Sequence, residues 1–295
     1  MSEGFRPDAR RTLLQVQEEW SDCRKCELGV RRHERDGKFV FGRGFRGGVM
    51  LIGEGPGAAD EQFGDPFMGT LGNLLHQILG LVGLTNYYET HLVACRACSP
   101  QTDASGSLVL RHVRGNPKGS PPEPVYRDEP PTPVQYAACL PRLYEEIYLV
   151  DPTVIIGLGS KVCEALMGHS VTITRMHGEP VQIEIPGAGY VPVLTDKKQD
   201  WMHRIPGETK ARPVCAQNMP RYYFMPTLDL THVLRELSDQ GPDSLFRQLI
   251  GDIKKALRVH EAYNEMVFGH IPTCHIDLDE GIIQRTVQAT DQHEE

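Results

Sequence analysis

The chain has 295 residues and a formal net charge of −8 at pH 7. That length suits one large α/β domain with insertions or two modest ones. No apolar run approaches a membrane span, and the acidic balance excludes indiscriminate coating of nucleic acid, which phosphate neutralisation drives. The charge is uneven, however. Residues 6–46 and 197–221 are net basic, while the part from Phe224 onward is strongly acidic, so a local basic face remains available. The opening MSEGFRPDARR lacks the apolar core of a signal peptide, and a cytoplasmic protein is expected. Eight cysteines in a chain of this length do not make a disulfide scaffold; in a reducing compartment clustered cysteines more often hold metal.

In chain order, residues 9–20 predict an amphipathic helix with Leu13, Leu14, Val16 and Trp20 on its apolar side. It leads into Cys23-Arg24-Lys25-Cys26, a spacing shared by zinc knuckles, redox pairs and iron-sulfur sites. The stretch that organises the chain follows. Val49-Met50-Leu51-Ile52 reads as a buried parallel strand that breaks into the turn Gly53-Glu54-Gly55-Pro56-Gly57, then the acids Asp60, Glu61 and Asp65, then an apolar helix from about Leu71. Open α/β sheets place ligands at that end of a strand. A dinucleotide fingerprint would also begin Gly53-x-Gly55 and reach Ala58. Pro56, the loop-like stretch to Phe67 and the absence of a suitably spaced acid after the next strand oppose it.

Residues 87–95 predict a second strand, ending in His91-Leu92-Val93-Ala94-Cys95, with Cys98 close behind. A long polar stretch rich in Gly and Pro, 99–133, precedes a helix carrying Cys139, Leu143, Ile147 and Val150. Residues 152–159 form a further buried strand and 160–167 a helix on which Cys163 reads as a core residue. Between 190 and 221 basic residues surround Trp201; such a segment either lies along a DNA backbone with an aromatic to stack or is a solvated loop, and Cys215 has no assigned role. Gly241-Pro242 turns into a last helix over 243–257 with Leu245, Phe246, Leu249, Ile250 and Ile253 buried. Beyond it, His270, Cys274 and His275 read as a surface cluster in preference to a small metal site.

Taken together, Gly53-Glu54-Gly55-Pro56-Gly57, Asp60-Glu61 and Gly64-Asp65-Pro66-Phe67-Met68-Gly69 with Gly72, Leu74 and Leu75 resemble the first motif of the iron-sulfur, family-four uracil-DNA glycosylases. The likeness runs with gaps from about Thr12 to Leu257. It implies a three-layer α/β/α fold with a central, mostly parallel four-stranded sheet over residues 1–258. Insertions would stand at about 98–134 and 190–221, with a C-terminal extension at 259–295.

The resemblance further implies that Cys23, Cys26, Cys95 and Cys139 hold a [4Fe-4S] cluster of structural purpose, with Cys98 the rival of Cys95 and zinc the alternative metal. It makes Glu54 the catalytic carboxylate, supported by Asp60; capping of the following turn or helix is the competing use of these acids and Glu61, weighed clearly below function for Glu54 and only narrowly below it for Asp60. Gly55 and Phe67 would receive a flipped-out base. The chain departs from the family at two base-reading positions. His91 stands where the family has asparagine, and Met225 where it has a histidine that stabilises the departing base; a thioether donates no hydrogen bond. Thr227 and Leu228 would reach the DNA minor groove, and Asp229 would replace the lost polar function. These departures predict a glycosylase for a bulky modified pyrimidine, such as glucosylated hydroxymethylcytosine in anti-phage defence. Repair of uracil and a catalytically inactive DNA-binding module are the alternatives. The expected partner is DNA, with no membrane and a monomeric chain.

Overall fold

The structure, a computed structural model, describes residues 12–112, 121–185, 191–194, 201–204, 212–213, 221–237 and 244–268. The region of Cys215 and that of His270, Cys274 and His275 lie outside these residues.

Helix α1 (Leu13–Ser21) opens at Thr12 with a reciprocal cap: the Thr12 hydroxyl accepts from the Gln15 N–H, and the Gln15 side chain accepts from the Thr12 N–H. Val16 and Trp20 are buried as expected, but Leu14 is 61 % exposed, because the helix presents a narrower stripe to the core than its apolar content suggests. Helix α2 (Glu27–Glu34) starts immediately after Cys26. The short strand β1 (Arg43–Gly44) precedes β2 (Val49–Gly53), buried throughout. Val49 and Leu51 face one core and Met50 and Ile52 the other, the two-residue period of a strand covered on both faces. A six-residue helix, α3 (Ala58–Phe63), stands where the sequence reads as loop; Gly64 ends it in the left-handed conformation. Helix α4 (Gly69–Leu81) and strand β3 (Tyr87–His91) follow.

The polar stretch after β3 folds into an antiparallel arm. Strands β4 (Cys98–Pro100), β5 (Leu110–Arg111), β6 (Glu123–Pro124) and β7 (Tyr126–Asp128) pair as β4 with β7 and β5 with β6, so the chain returns to where it left the body. Helix α5 (Pro133–Val150) is capped by Thr132 with Gln135 and has Pro133 at its first turn, where a missing N–H costs nothing. Then come β8 (Val154–Leu158), α6 (Ser160–Met167), α7 (Ile173–Met176) and β9 (Val181–Glu184). Strands β10 (Val191–Leu194), β11 (Trp201–Arg204) and β12 (Arg212–Pro213) form a separate antiparallel sheet in the expected second insertion. The chain ends its described part with β13 (Arg221–Thr227), α8 (Leu230–Arg235) and α9 (Leu245–Phe268). Helix α9 runs unbroken past residue 258, the expected end of the domain, into the expected extension from 259.

The main sheet has the order β1-β3-β2-β8-β13-β9. The four inner strands are parallel, and the antiparallel β1 and β9 close the two edges, making six strands where four were expected. One core lies between the sheet and α5 and α6; the other lies beneath α4, α8 and α9. The carboxyl ends of β2, β3, β8 and β13 therefore converge on one rim. No helix among the described residues is long and apolar enough to cross a membrane.

Candidate active site

A cleft of about 510 Å³ opens at that rim. Its lining comes from the β2–α3 turn (residues 53–60), the start of α4, His91 at the end of β3, Leu158 at the end of β8, and Asp229 and Leu230 after β13. A further wall is the foot of the arm, Asp128 to Pro131. A salt bridge ties that foot to the body, Arg96 reaching Asp128 at 2.6 Å; beside it Arg35 grips Glu61 of α3 at 2.6 Å and donates to the Arg96 carbonyl at 3.0 Å.

Two rings form the floor. Phe67 is buried and His91 packs on it with ring centroids 4.6 Å apart and planes tilted by 44°. Gly53 makes this possible, since a Cβ there would stand 2.6 Å from His91 Nδ1 and 2.9 Å from Phe67 Cζ. Phe67 has φ of 53°, a conformation unfavourable for a bulky side chain, and the surrounding contacts hold it. Asp60 is one of them: Oδ1 accepts from the Met68 N–H at 2.5 Å and Oδ2 from the Gly57 N–H at 2.9 Å. Asp60 thus braces both ends of the loop between β2 and α4. His91 Nε2 lies 3.3 Å from Asp60 Oδ2, near enough for electrostatic attraction but misaligned for hydrogen bonding. Both imidazole nitrogens are buried without a hydrogen-bond partner, a costly arrangement that a bound polar group would relieve.

Glu54 sits at the cleft on the turn after β2. Its main-chain carbonyl accepts from the Val93 N–H at 3.1 Å, and its Oε1 accepts from the Tyr136 hydroxyl of α5. Gly55 beside it approaches Val93 so closely that a Cβ would come within 2.8 Å of Cγ2.

The last strand departs from the expected placement. Met225 is fully buried in the core below α4, α8 and α9 and does not line the cleft. Leu228 is in the same core, and Thr227 is buried with its hydroxyl donating to Asp252 Oδ2 at 2.5 Å. Neither is placed to meet a DNA groove. The polar residue that this strand delivers to the cleft is Asp229, which also caps α8 by accepting from the His232 N–H at 3.1 Å.

On the other side of β3, Cys23, Cys26, Cys95 and Cys139 line one small cavity with Trp20, Leu28 and Phe39. They come from the α1–α2 junction, the end of β3 and α5, and close together only in the fold. Burial pushes the Cys95 thiol up to about 12, with Cys139, Cys26 and Cys23 adding to the rise, and burial likewise raises Cys23. Thiols so placed ionise only if a metal supplies compensating charge. Cys98 lies apart, among Arg35, Arg96, Glu61 and Asp128. No three His, Cys, Asp or Glu side chains among the described residues are gathered to hold a single metal ion.

Between the two sites runs a buried network that the sequence reading did not single out. Arg142 of α5 is wholly buried, paired with Glu146, and donates to the main-chain carbonyls of His91 and Leu92. Glu146 also accepts from the Tyr88 hydroxyl at 2.8 Å and the Gly42 N–H at 2.9 Å. The i, i+4 spacing of Arg142 and Glu146 was its one sequence signal.

The ends of the parallel strands thus gather Glu54, Asp60 and Asp229 around a cleft floored by Phe67 and His91, at the ligand-binding end of an open α/β sheet. The model of the uracil DNA glycosylase superfamily matches residues 41–232, and the chain belongs to that superfamily. It is accordingly a DNA glycosylase, a hydrolase of N-glycosidic bonds. Among similar curated proteins, the type-4 uracil-DNA glycosylase of Thermotoga maritima is 28 % identical over 170 residues, 56 % of this chain and 72 % of the relative. That of Pyrobaculum aerophilum is 30 % identical over 158 residues (52 % and 64 %), and that of Archaeoglobus fulgidus 26 % over 180 (59 % and 74 %).

Proposed function

We propose that this protein removes uracil from DNA by hydrolysis, leaving an abasic site. The observation that carries the reading is the position of Glu54 in the cleft beside the Phe67–His91 floor, and the names of the similar proteins support uracil as the base. The target nucleotide leaves the duplex and its base stacks in the cleft. As the glycosidic bond stretches, positive charge grows on the sugar. The Glu54 carboxylate stabilises that charge and orients the attacking water. Asp60 holds the loop that carries Phe67, and Asp229 takes the polar place that Met225 does not fill. His91 forms part of the floor beneath the base, its ring nitrogens without hydrogen-bond partners.

The four cysteines around one cavity supply the all-thiolate donor set that would hold a [4Fe-4S] cluster, and among the described residues no three of them gather as they would for a single zinc ion. When bound, the cluster supplies cross-links between the α1–α2 junction, the end of β3 and α5, and takes no part in bond cleavage. Cys95, not Cys98, is the third ligand.

A second reading, the excision of a bulky modified pyrimidine, is favoured by one feature: the cleft extends to the arm, where Asp128 and Glu129 would accept hydrogen bonds from sugar hydroxyls on the base. Protein incubated with uracil-containing, unmodified and glucosylated DNA and then treated with alkali separates the readings. Strand breaks on uracil DNA, lost in Glu54→Gln, are expected. Breaks on glucosylated DNA alone would establish the second reading, and breaks on none would leave a DNA-binding module.

A further inference from the structure

Glu54 carries the chemistry in the reading above, yet a glutamate on a glycine-rich turn has several rotamers. A stabilising carboxylate has to be held in place before the reaction, since reorganisation during it costs rate. The main chain of Glu54 is fixed by the Val93 N–H. Its side chain is held by Tyr136, whose hydroxyl donates to Oε1.

Tyr136 is 5 % exposed, belongs to the core beneath α5, and does not line the cleft. Burial first, and then the neighbouring Glu54 carboxylate, raise its pKa, so the phenol keeps its proton and remains a donor. The ring is held at the start of α5 by the Thr132 cap, with the Tyr136 N–H bonded to the Thr132 carbonyl at 3.0 Å. Cys139 follows one helical turn later and faces the cysteine cavity.

We propose that Tyr136 is the positioning residue for Glu54: its hydroxyl locks the carboxylate toward the cleft and raises the rate of base release without contributing to DNA binding. The proposal rests on the catalytic role of Glu54 given above. Helix α5 thereby carries on one stripe a cysteine of the metal cavity, the support of the carboxylate, and, at Arg142, the support of the His91 carbonyl.

The test is a double-mutant cycle with Tyr136→Phe and Glu54→Ala. It is read by single-turnover base release from whichever of the three DNA substrates is cleaved fastest, and by fluorescence anisotropy for DNA affinity. Phenylalanine retains the buried ring and removes the hydroxyl alone; melting temperature and visible absorbance report whether fold and metal are kept. Losing a hydrogen bond to a charged group predicts a rate lower by about 10- to 100-fold with unchanged affinity. In the Glu54→Ala background the same change should cost nothing further. A Tyr136→Phe protein as fast as the parent, with Glu54→Ala slow, would overturn the positioning role and leave the glycosylase reading standing. Equal losses in both backgrounds would also overturn it, since the phenol would then act independently of Glu54. Parent-like release by Glu54→Ala would instead defeat the function proposed above.

Discussion

The imidazole of His91 lies against the ring of Phe67 with 4.6 Å between centroids, and neither of its nitrogens has a hydrogen-bond partner. A buried, unpaired imidazole is destabilising unless something else satisfies it. In the function proposed above, the edge of the substrate base would supply that partner at the end of β3. Replacing His91 by asparagine, which presents a donor and an acceptor side by side, should therefore change base selection more than it changes stability. Single-turnover rates on uracil-containing and modified DNA should shift relative to one another by about tenfold or more. An unchanged ratio would remove His91 from base reading.

Gly72 decides whether Phe67 can keep its place. A Cβ at Gly72 would come within 1.6 Å of the Phe67 carbonyl oxygen, a backbone atom that cannot swing aside. Gly72→Ala should destabilise the protein by about 1–3 kcal/mol in urea unfolding. Base release should fall further than the loss of folded protein explains, because the aromatic floor moves with the carbonyl.

The cysteine cavity predicts an asymmetry between neighbouring residues. Cys23→Ser and Cys139→Ser proteins should lose the brown colour and iron of a purified parent, whereas Cys98→Ser should retain both, since Cys98 faces arginines and not the other thiols. Chelation of the metal should lower the melting temperature, because the cluster would tie together three segments distant in sequence. Colour lost in Cys98→Ser and kept in Cys23→Ser would reverse the ligand assignment.

His260 makes stability depend on pH. It touches the Thr153 hydroxyl through Nδ1 and lies 3.0 Å from the Asn264 amide through Nε2, so its neutral form is the one the fold accommodates. Burial lowers its folded pKa below the ordinary 6.5, against a smaller opposing effect of Glu261. The unfolded chain then binds the proton more readily, and stability falls as pH drops through 6.5 toward the folded value. Melting temperature should decline over that window in the parent and decline less in His260→Gln.

Much of this was written in local pattern. The run Val49 to Gly53 is a buried strand because an unbroken apolar segment followed by glycine and proline has few other uses, and α6 occupies residues 160–167 as the sequence predicts. Glu54, Asp60 and Phe67 follow from that strand at fixed spacing, so their arrival at one cleft was legible; Cys95 lines a cavity with Cys23, Cys26 and Cys139, and Cys98 does not. Met225, Leu228 and Thr227 were not placed correctly, because a motif proline aligns the chain but does not say which strand face or which side of a turn each neighbour takes. That depended on the register of β13 against β8 and on Asp252 of α9, residues far away in sequence.

The sequence by itself determined the chemistry available: a carboxylate-bearing turn after an apolar strand, and thiols enough for a metal centre. Only the tertiary structure decided that a phenol stands behind Glu54, that Asp60 braces the loop carrying Phe67, and that the arm walls the site. Those choices turn on contacts between residues tens of positions apart, where no periodicity along the chain carries the information.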